Sequence, residues 1–141
     1  MKTLIALALA LFAVSASAQT YGTTALLGAG TNNVASESTN SYGTAINLTR
    51  RDTVGLQFSF KCSGTNEITG GTATLVFSRS VDGTTYGTAS TLRFSLAATS
   101  TNTACLVTNL SVGMMGYLKL VSLENTTTNA LTNLSVIYSV R

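Results

Sequence analysis

The chain has 141 residues, 8 of them basic and 5 acidic, so 9% are charged, where an ordinary soluble domain carries roughly 25%. It contains no histidine, tryptophan or proline, which excludes Ser-His-Asp and Cys-His catalysis and any imidazole-ligated metal. The net charge of +3 comes from scattered arginines over fewer acids, with Arg50-Arg51 the one basic doublet and Asp52 directly after it; the clustered Lys/Arg footprint of a nucleic-acid binder is missing.

Nearly half of the chain is Thr, Ser, Asn and Gly, yet 45% is apolar. That is enough apolar surface to bury a core, which argues against disorder, and the length fits one domain. Residues 1–18 read as a secretory-signal-like segment: Lys2 is followed by an unbroken apolar run over 4–14 and by Ala16-Ser17-Ala18, a small-x-small pattern that places cleavage between Ala18 and Gln19. The run is too short for a transmembrane helix, which needs about 20 apolar residues, so no membrane span is expected in the mature chain. The competing reading is a retained apolar arm that packs against a neighbouring subunit.

Residues 19–44 read as an extended or loop-rich arm with a short edge strand over 21–27 and a loop over 31–41. From Ala45 to the end a two-residue period takes over, and 45–141 is expected to be the folded domain. Over 54–62, Val54, Leu56, Phe58, Phe60 and Cys62 share one face and Gly55, Gln57, Ser59 and Lys61 the other; such a strand is half buried. Strands are expected over 72–81, with Ala73, Leu75 and Phe77 inward, and over 91–96, with Leu92, Phe94 and Leu96 on one face. Further strands are expected over 104–112, where the central register is ambiguous, 117–123 and 131–140. Asp82-Gly83 marks a turn, because both residues tolerate positive φ. About seven strands and no helix predict an all-β fold: an antiparallel two-sheet sandwich, Ig-like or jelly-roll-like.

The acids Glu37, Asp52, Glu67, Asp82 and Glu124 are scattered singly, and no local motif brings two carboxylates across one bond or gathers the oxygens that calcium needs. No catalytic residue, cofactor or metal is expected. Cys62 and Cys105 lie near the ends of two strands, and in an oxidising compartment either a disulfide between them or two buried thiols would serve. Four Asn-x-Ser/Thr sequons start at Asn47, Asn109, Asn125 and Asn133, as chance provides in so Thr-rich a chain. Tyr42 and Tyr86 fall in expected loops, where turn packing is their ordinary role.

Low charge and the absence of proline leave the expected sheet edges unguarded, and unpaired edge N–H and C=O groups recruit other strands. The partners expected are therefore proteins, in a homo-oligomer or a capsid shell. Asp82, Gly83 and Tyr86 are the first candidates for contact, together with the 31–41 loop, because loops on a rigid sandwich carry recognition.

The stretch Leu75-Val-Phe-Ser-Arg-Ser-Val-Asp-Gly-Thr-Thr-Tyr86, the segment Gly116-Tyr-Leu-Lys-Leu-Val121 and the final alternating strand resemble small sandwich proteins of tailed-phage virions, of the capsid-decoration and head-fibre type. The resemblance covers residues 45–141. It implies a non-enzymatic structural role on a virion. Virion proteins usually lack a cleavable export signal, and a retained arm between capsid subunits would reconcile the two features. An exported surface or periplasmic module, an adhesin or glycan-binding domain, is the alternative.

Overall fold

The computed structural model describes residues 22–28, 32–64, 70–88, 91–97 and 103–141. The signal-like segment, the cleavage position at Ala18 and Gln19, and Glu67 lie outside the described residues.

Among the described residues nine strands occur: β1 (Thr24–Leu27), β2 (Ser38–Ser41), β3 (Ala45–Asn47), β4 (Thr53–Cys62), β5 (Thr72–Ser80), β6 (Thr91–Ala97), β7 (Ala104–Ser111), β8 (Tyr117–Asn125) and β9 (Leu131–Val140). They form two antiparallel sheets, one in the order β1-β9-β4-β7 and the other β2-β8-β5-β6, with β3 also on β8. The two short strands run along one side of β8, Ser38–Ser41 against its end and Ala45–Asn47 against its start. Taken as one interrupted strand, they leave eight positions. The first then pairs with the eighth, the second with the seventh, the third with the sixth and the fourth with the fifth. That is a long hairpin rolled into two sheets, the jelly-roll order, and not the ABED/CFG order of an immunoglobulin domain.

The alternation on β4 works as its sequence predicts. Val54, Leu56, Phe58, Phe60 and Cys62 are buried while Gln57 and Lys61 are exposed. Across the core, Ala73, Leu75 and Phe77 of β5 and Leu118, Leu120 and Leu123 of β8 face β4 and the Leu134 and Val136 side of β9. Phe58 and Phe60 lie with ring centroids 5.2 Å apart, and Phe77 meets Phe94 edge-on at 6.0 Å; such arrangements add to the area the rings bury.

The described part of 19–44, expected to be an arm with a short edge strand, is built into the sandwich. It supplies β1 and β2, and its Leu26, Leu27 and Val34 are buried in the common core. Short polar edge strands gain their place from neighbours rather than from their own pattern. On β5, Ala73, Leu75 and Phe77 point inward as expected, and the strand is covered on its other face as well. Thr74, Val76, Ser78 and Ser80, on its outer side, are buried. Ser95 Oγ lies 2.8 Å from Thr74 Oγ1, Ser78 Oγ donates to Gly87 O at 2.9 Å, and an Arg93–Glu124 ion pair joins the two strands flanking β5.

Candidate functional site

Three loops and the end of β9 meet at one end of the sandwich and are tied together through their backbones. Leu48 N donates to Gly116 O (2.8 Å), Val112 N to Asp52 O (2.8 Å), Gly116 N to Ser80 O (3.0 Å) and Asp52 N to Arg141 O (2.7 Å). A groove of about 680 Å³ opens between residues 79–85 and 111–115 of this end, within the ordinary size range of ligand clefts.

Asp82 organises one wall. Its Oδ1 accepts from Ser80 Oγ, Thr84 N and Thr85 N, each at 2.8 Å, while Ser80 Oγ in turn accepts from Gly83 N at 2.9 Å. The Thr85 and Thr84 backbone N–H groups, with the Ser80 hydroxyl, hold the Asp82 carboxyl well below the usual carboxylate range, because they stabilise the charged form. Gly83 sits at φ +78°, and a Cβ there would stand 2.9 Å from the Tyr117 ring. Only glycine meets both the backbone and the space requirement. Gly116 is tighter still: a Cβ would lie 2.4 Å from Val81 O.

The expected contact residues separate in space. Asp82 lines the groove. Gly83 packs under Tyr117. Tyr86 turns away, and its ring lies beneath Lys119, whose Nζ is 3.9 Å from the ring centroid; this cation–π contact is a packing role. Tyr42 packs against the core. The 31–41 stretch, described from residue 32, lies along β8 and reaches β9, with Val34 bridged to Leu131.

Sequence reasoning missed the residues that give this end its surface character. Val81 is 79% and Met114 95% exposed, and both line the groove. Arg79 lines it as well, while Arg141 lines a separate depression with Thr53, Gly55, Asn109 and Ser139, and Arg50 and Arg51 lie in the 48–52 loop. No sequence window could show that residues 79–85 and 111–115 share one groove, since the jelly-roll pairing brings them together. The Asp82 turn was legible, because Ser80-Val81-Asp82-Gly83 carries both its acceptor and its glycine.

Among the described residues no group of three or more His, Cys, Asp or Glu gathers, and Glu124 is engaged with Arg93. Cys62 and Cys105 are both free, one buried and one exposed. The disulfide weighed from the sequence does not form here. Cys105 faces Ser59 in the β4–β7 ladder, three residues from Cys62 along β4, and the two side chains leave the sheet on opposite faces, a placement no disulfide spans without backbone movement.

The fold and site define an all-β jelly-roll protein with, at one loop end, a groove lined by Arg79 and Asp82 and rimmed by exposed Val81 and Met114. In comparison with known proteins, no family model and no curated sequence matches the chain.

Proposed function

We propose that the protein is a non-enzymatic structural and interaction subunit, a capsid-associated protein of a phage virion, which docks on its assembly by the loop end. The observation that carries this reading is the pairing of exposed Val81 and Met114 on the rims of one groove. Large apolar side chains standing in water beside a concave surface mark an interaction site. The loops beneath them are stitched to one another and to β9, so a partner meets a preformed surface and ordering costs little on binding. The groove's carboxylate already serves the turn: three donors converge on one oxygen of Asp82, which favours a scaffold role over acid–base work. The jelly roll also recurs in viral capsid proteins, an analogy of fold alone.

The test is density-gradient sedimentation of tagged protein with particles from its source. Co-sedimentation that Met114→Asp abolishes is the expected result. Recovery in the envelope or the medium, with Gln19 at the amino terminus by mass spectrometry, overturns it in favour of an exported adhesin or glycan-binding module. The observation behind that second reading is the Lys2, apolar run and Ala18 pattern of the first residues.

A further inference from the structure

The free side of β7 has the features of a pairing surface. Val112 N donates to Asp52 O, and these two positions continue the register in which Thr53 faces Ser111. Residues that exchange hydrogen bonds with a given neighbour alternate along an antiparallel strand. Leu110, Thr108, Leu106 and Ala104 therefore turn their N–H and C=O groups toward β4. The other side of β4 agrees, since Thr53 exchanges bonds with Arg141 there. Cys105, Val107, Asn109 and Ser111 turn theirs outward, where none of the described strands pairs with β7.

Among the described residues four strands border the two sheets, and three of them are defended. β1 has 4 residues and an irregular register between Ala25 and Leu27. The β2–β3 edge is interrupted at residues 42–44. β6 carries Arg93, held by Glu124. Only β7 runs 8 residues with a regular ladder and neither charge nor proline. Natural edge strands are normally blunted by such devices.

We infer that β7 pairs with β7 of a second copy of this chain, antiparallel about a two-fold axis at Thr108. Parity requires the axis to fall on a residue, and only an axis at Thr108 sets all four outward residues opposite one another. With Thr108 on the axis, Val107 lies opposite Asn109 of the second copy and Cys105 opposite Ser111. All the outward N–H and C=O groups then find partners, approaching the roughly ten direct hydrogen bonds of an ordinary interface. A second copy is favoured because two-fold pairing brings together two uncharged rows of equal length and regular ladder without repulsion, whereas the other described border strands are short, interrupted or charged. The flank it covers is apolar. Leu106 and Leu110 of β7 and Leu92, Phe94 and Leu96 of β6 are half-buried there, and Val107 is 68% exposed on the outer face. The inference goes beyond the docking reading and does not depend on what the loop end binds.

Sedimentation equilibrium of the full chain tests it, with two substitutions and a cross-link. The expected result is a concentration-dependent species of twice the monomer mass. Val107→Pro removes an N–H that points away from β4, and Val107→Lys adds a guarding charge; each returns the chain to a monomer with unchanged circular dichroism. In a Cys105→Ser background, Thr108→Cys faces itself across the axis at a non-hydrogen-bonded pair, where Cα atoms lie about 4.5 Å apart, within disulfide reach. It locks a dimer on a non-reducing gel. Met114→Asp leaves the dimer intact, which separates this contact from groove docking. A chain monomeric at millimolar concentration, a dimer that Val107→Lys leaves intact and Thr108→Cys fails to lock, or a monomer whose outward β7 amides are protected from exchange by another segment overturns the inference.

Discussion

Asn125 Nδ2 donates to Ala35 O at 2.8 Å and fastens the end of β8 to the segment that leads into β2. The same amide donates to Asn129 O at 2.8 Å, and its Oδ1 accepts from Thr127 N at 2.9 Å and lies 2.8 Å from Thr127 Oγ1. Both side chains are buried. Every polar atom of Asn125 is thus used, in surroundings where an unmet bond costs most. Asn125→Ala strands the Thr127 amide and two carbonyls, and we expect a loss of about 2–4 kcal/mol by urea unfolding, since each orphaned buried group costs about 1–3 kcal/mol and neighbouring losses overlap. Asn125→Asp replaces a donor with a carboxylate facing two carbonyls, so it is worse at neutral pH than in mild acid. Equal stability at both pH values would show that the amide's donor role is not what holds the segment.

Asp82 predicts an acid dependence confined to one loop. Its folded-state pKa is lowered by the Thr85, Thr84 and Ser80 donors, so its contribution is fully present above the unfolded value of about 3.9 and is lost as pH falls through the folded value. The loop is therefore insensitive from neutral pH down to the ordinary aspartate range, and it loosens only in stronger acid. The Thr84 and Thr85 amide shifts report this directly by NMR. Asp82→Asn keeps an acceptor oxygen and should leave those shifts nearly in place, whereas Asp82→Ala should move both and speed their exchange. A midpoint at an ordinary aspartate pKa would refute the turn's role.

Alternation carries fold information only where a strand is long enough to show it. From Thr53 onward each strand spans 7–10 residues, and the inward rows of β4 and β5 could be read directly. Ser38–Ser41 is wholly polar and Ala45–Asn47 has 3 residues, so neither has a readable period. Both exist because β8 offers them a ladder. The outer cover of β5 was hidden for another reason: it comes from Gly87, Ser95 and the Arg93–Glu124 pair, which are remote in the chain. The groove combines both cases. Its Asp82 turn is local and legible, while its Arg79 and Met114 surroundings depend on sheet order.

Gly116 gives the sharpest test of how the loops are packed at the groove. A methyl group there would meet Val81 O at 2.4 Å, and Gly116 N donates to Ser80 O at 3.0 Å, so neither backbone can retreat without breaking the tie between the two loops. Gly116→Ala should cost about 1–3 kcal/mol, as overpacking does, and should shift the amide resonances of residues 80–85. Gly113→Ala serves as the contrast. No atom stands within 4 Å of its added Cβ, so its penalty comes from the backbone alone, about 1 kcal/mol for a left-handed alanine. Similar losses from both substitutions would mean that the loops slide freely past each other.

The two cysteines should differ in chemistry as they differ in placement. Cys62 ends the inward row of β4 and burial pushes its thiol pKa up; the thiolate, which is the reactive form, is then scarce as well as shielded. Cys105 is exposed. In the folded protein iodoacetamide should modify Cys105 and spare Cys62, with the second thiol reacting only at the rate of unfolding, as peptide mass mapping will read. Cys105→Ser should change stability by less than about 0.5 kcal/mol, as surface substitutions do. Cys62→Ser places a hydroxyl in the core beside Leu131, its register partner on β9, and should cost about 1–3 kcal/mol. The failure of the sequence to separate the two lies in β7. Its inner residues Leu106 and Leu110 are interrupted by Thr108, and its outer row includes Val107, so the faces cannot be ranked by hydrophobicity. Labelling of both thiols at equal rates in the folded state would place Cys62 at the surface and shift the register of β4 by one residue, which reverses every inward side chain of the strand.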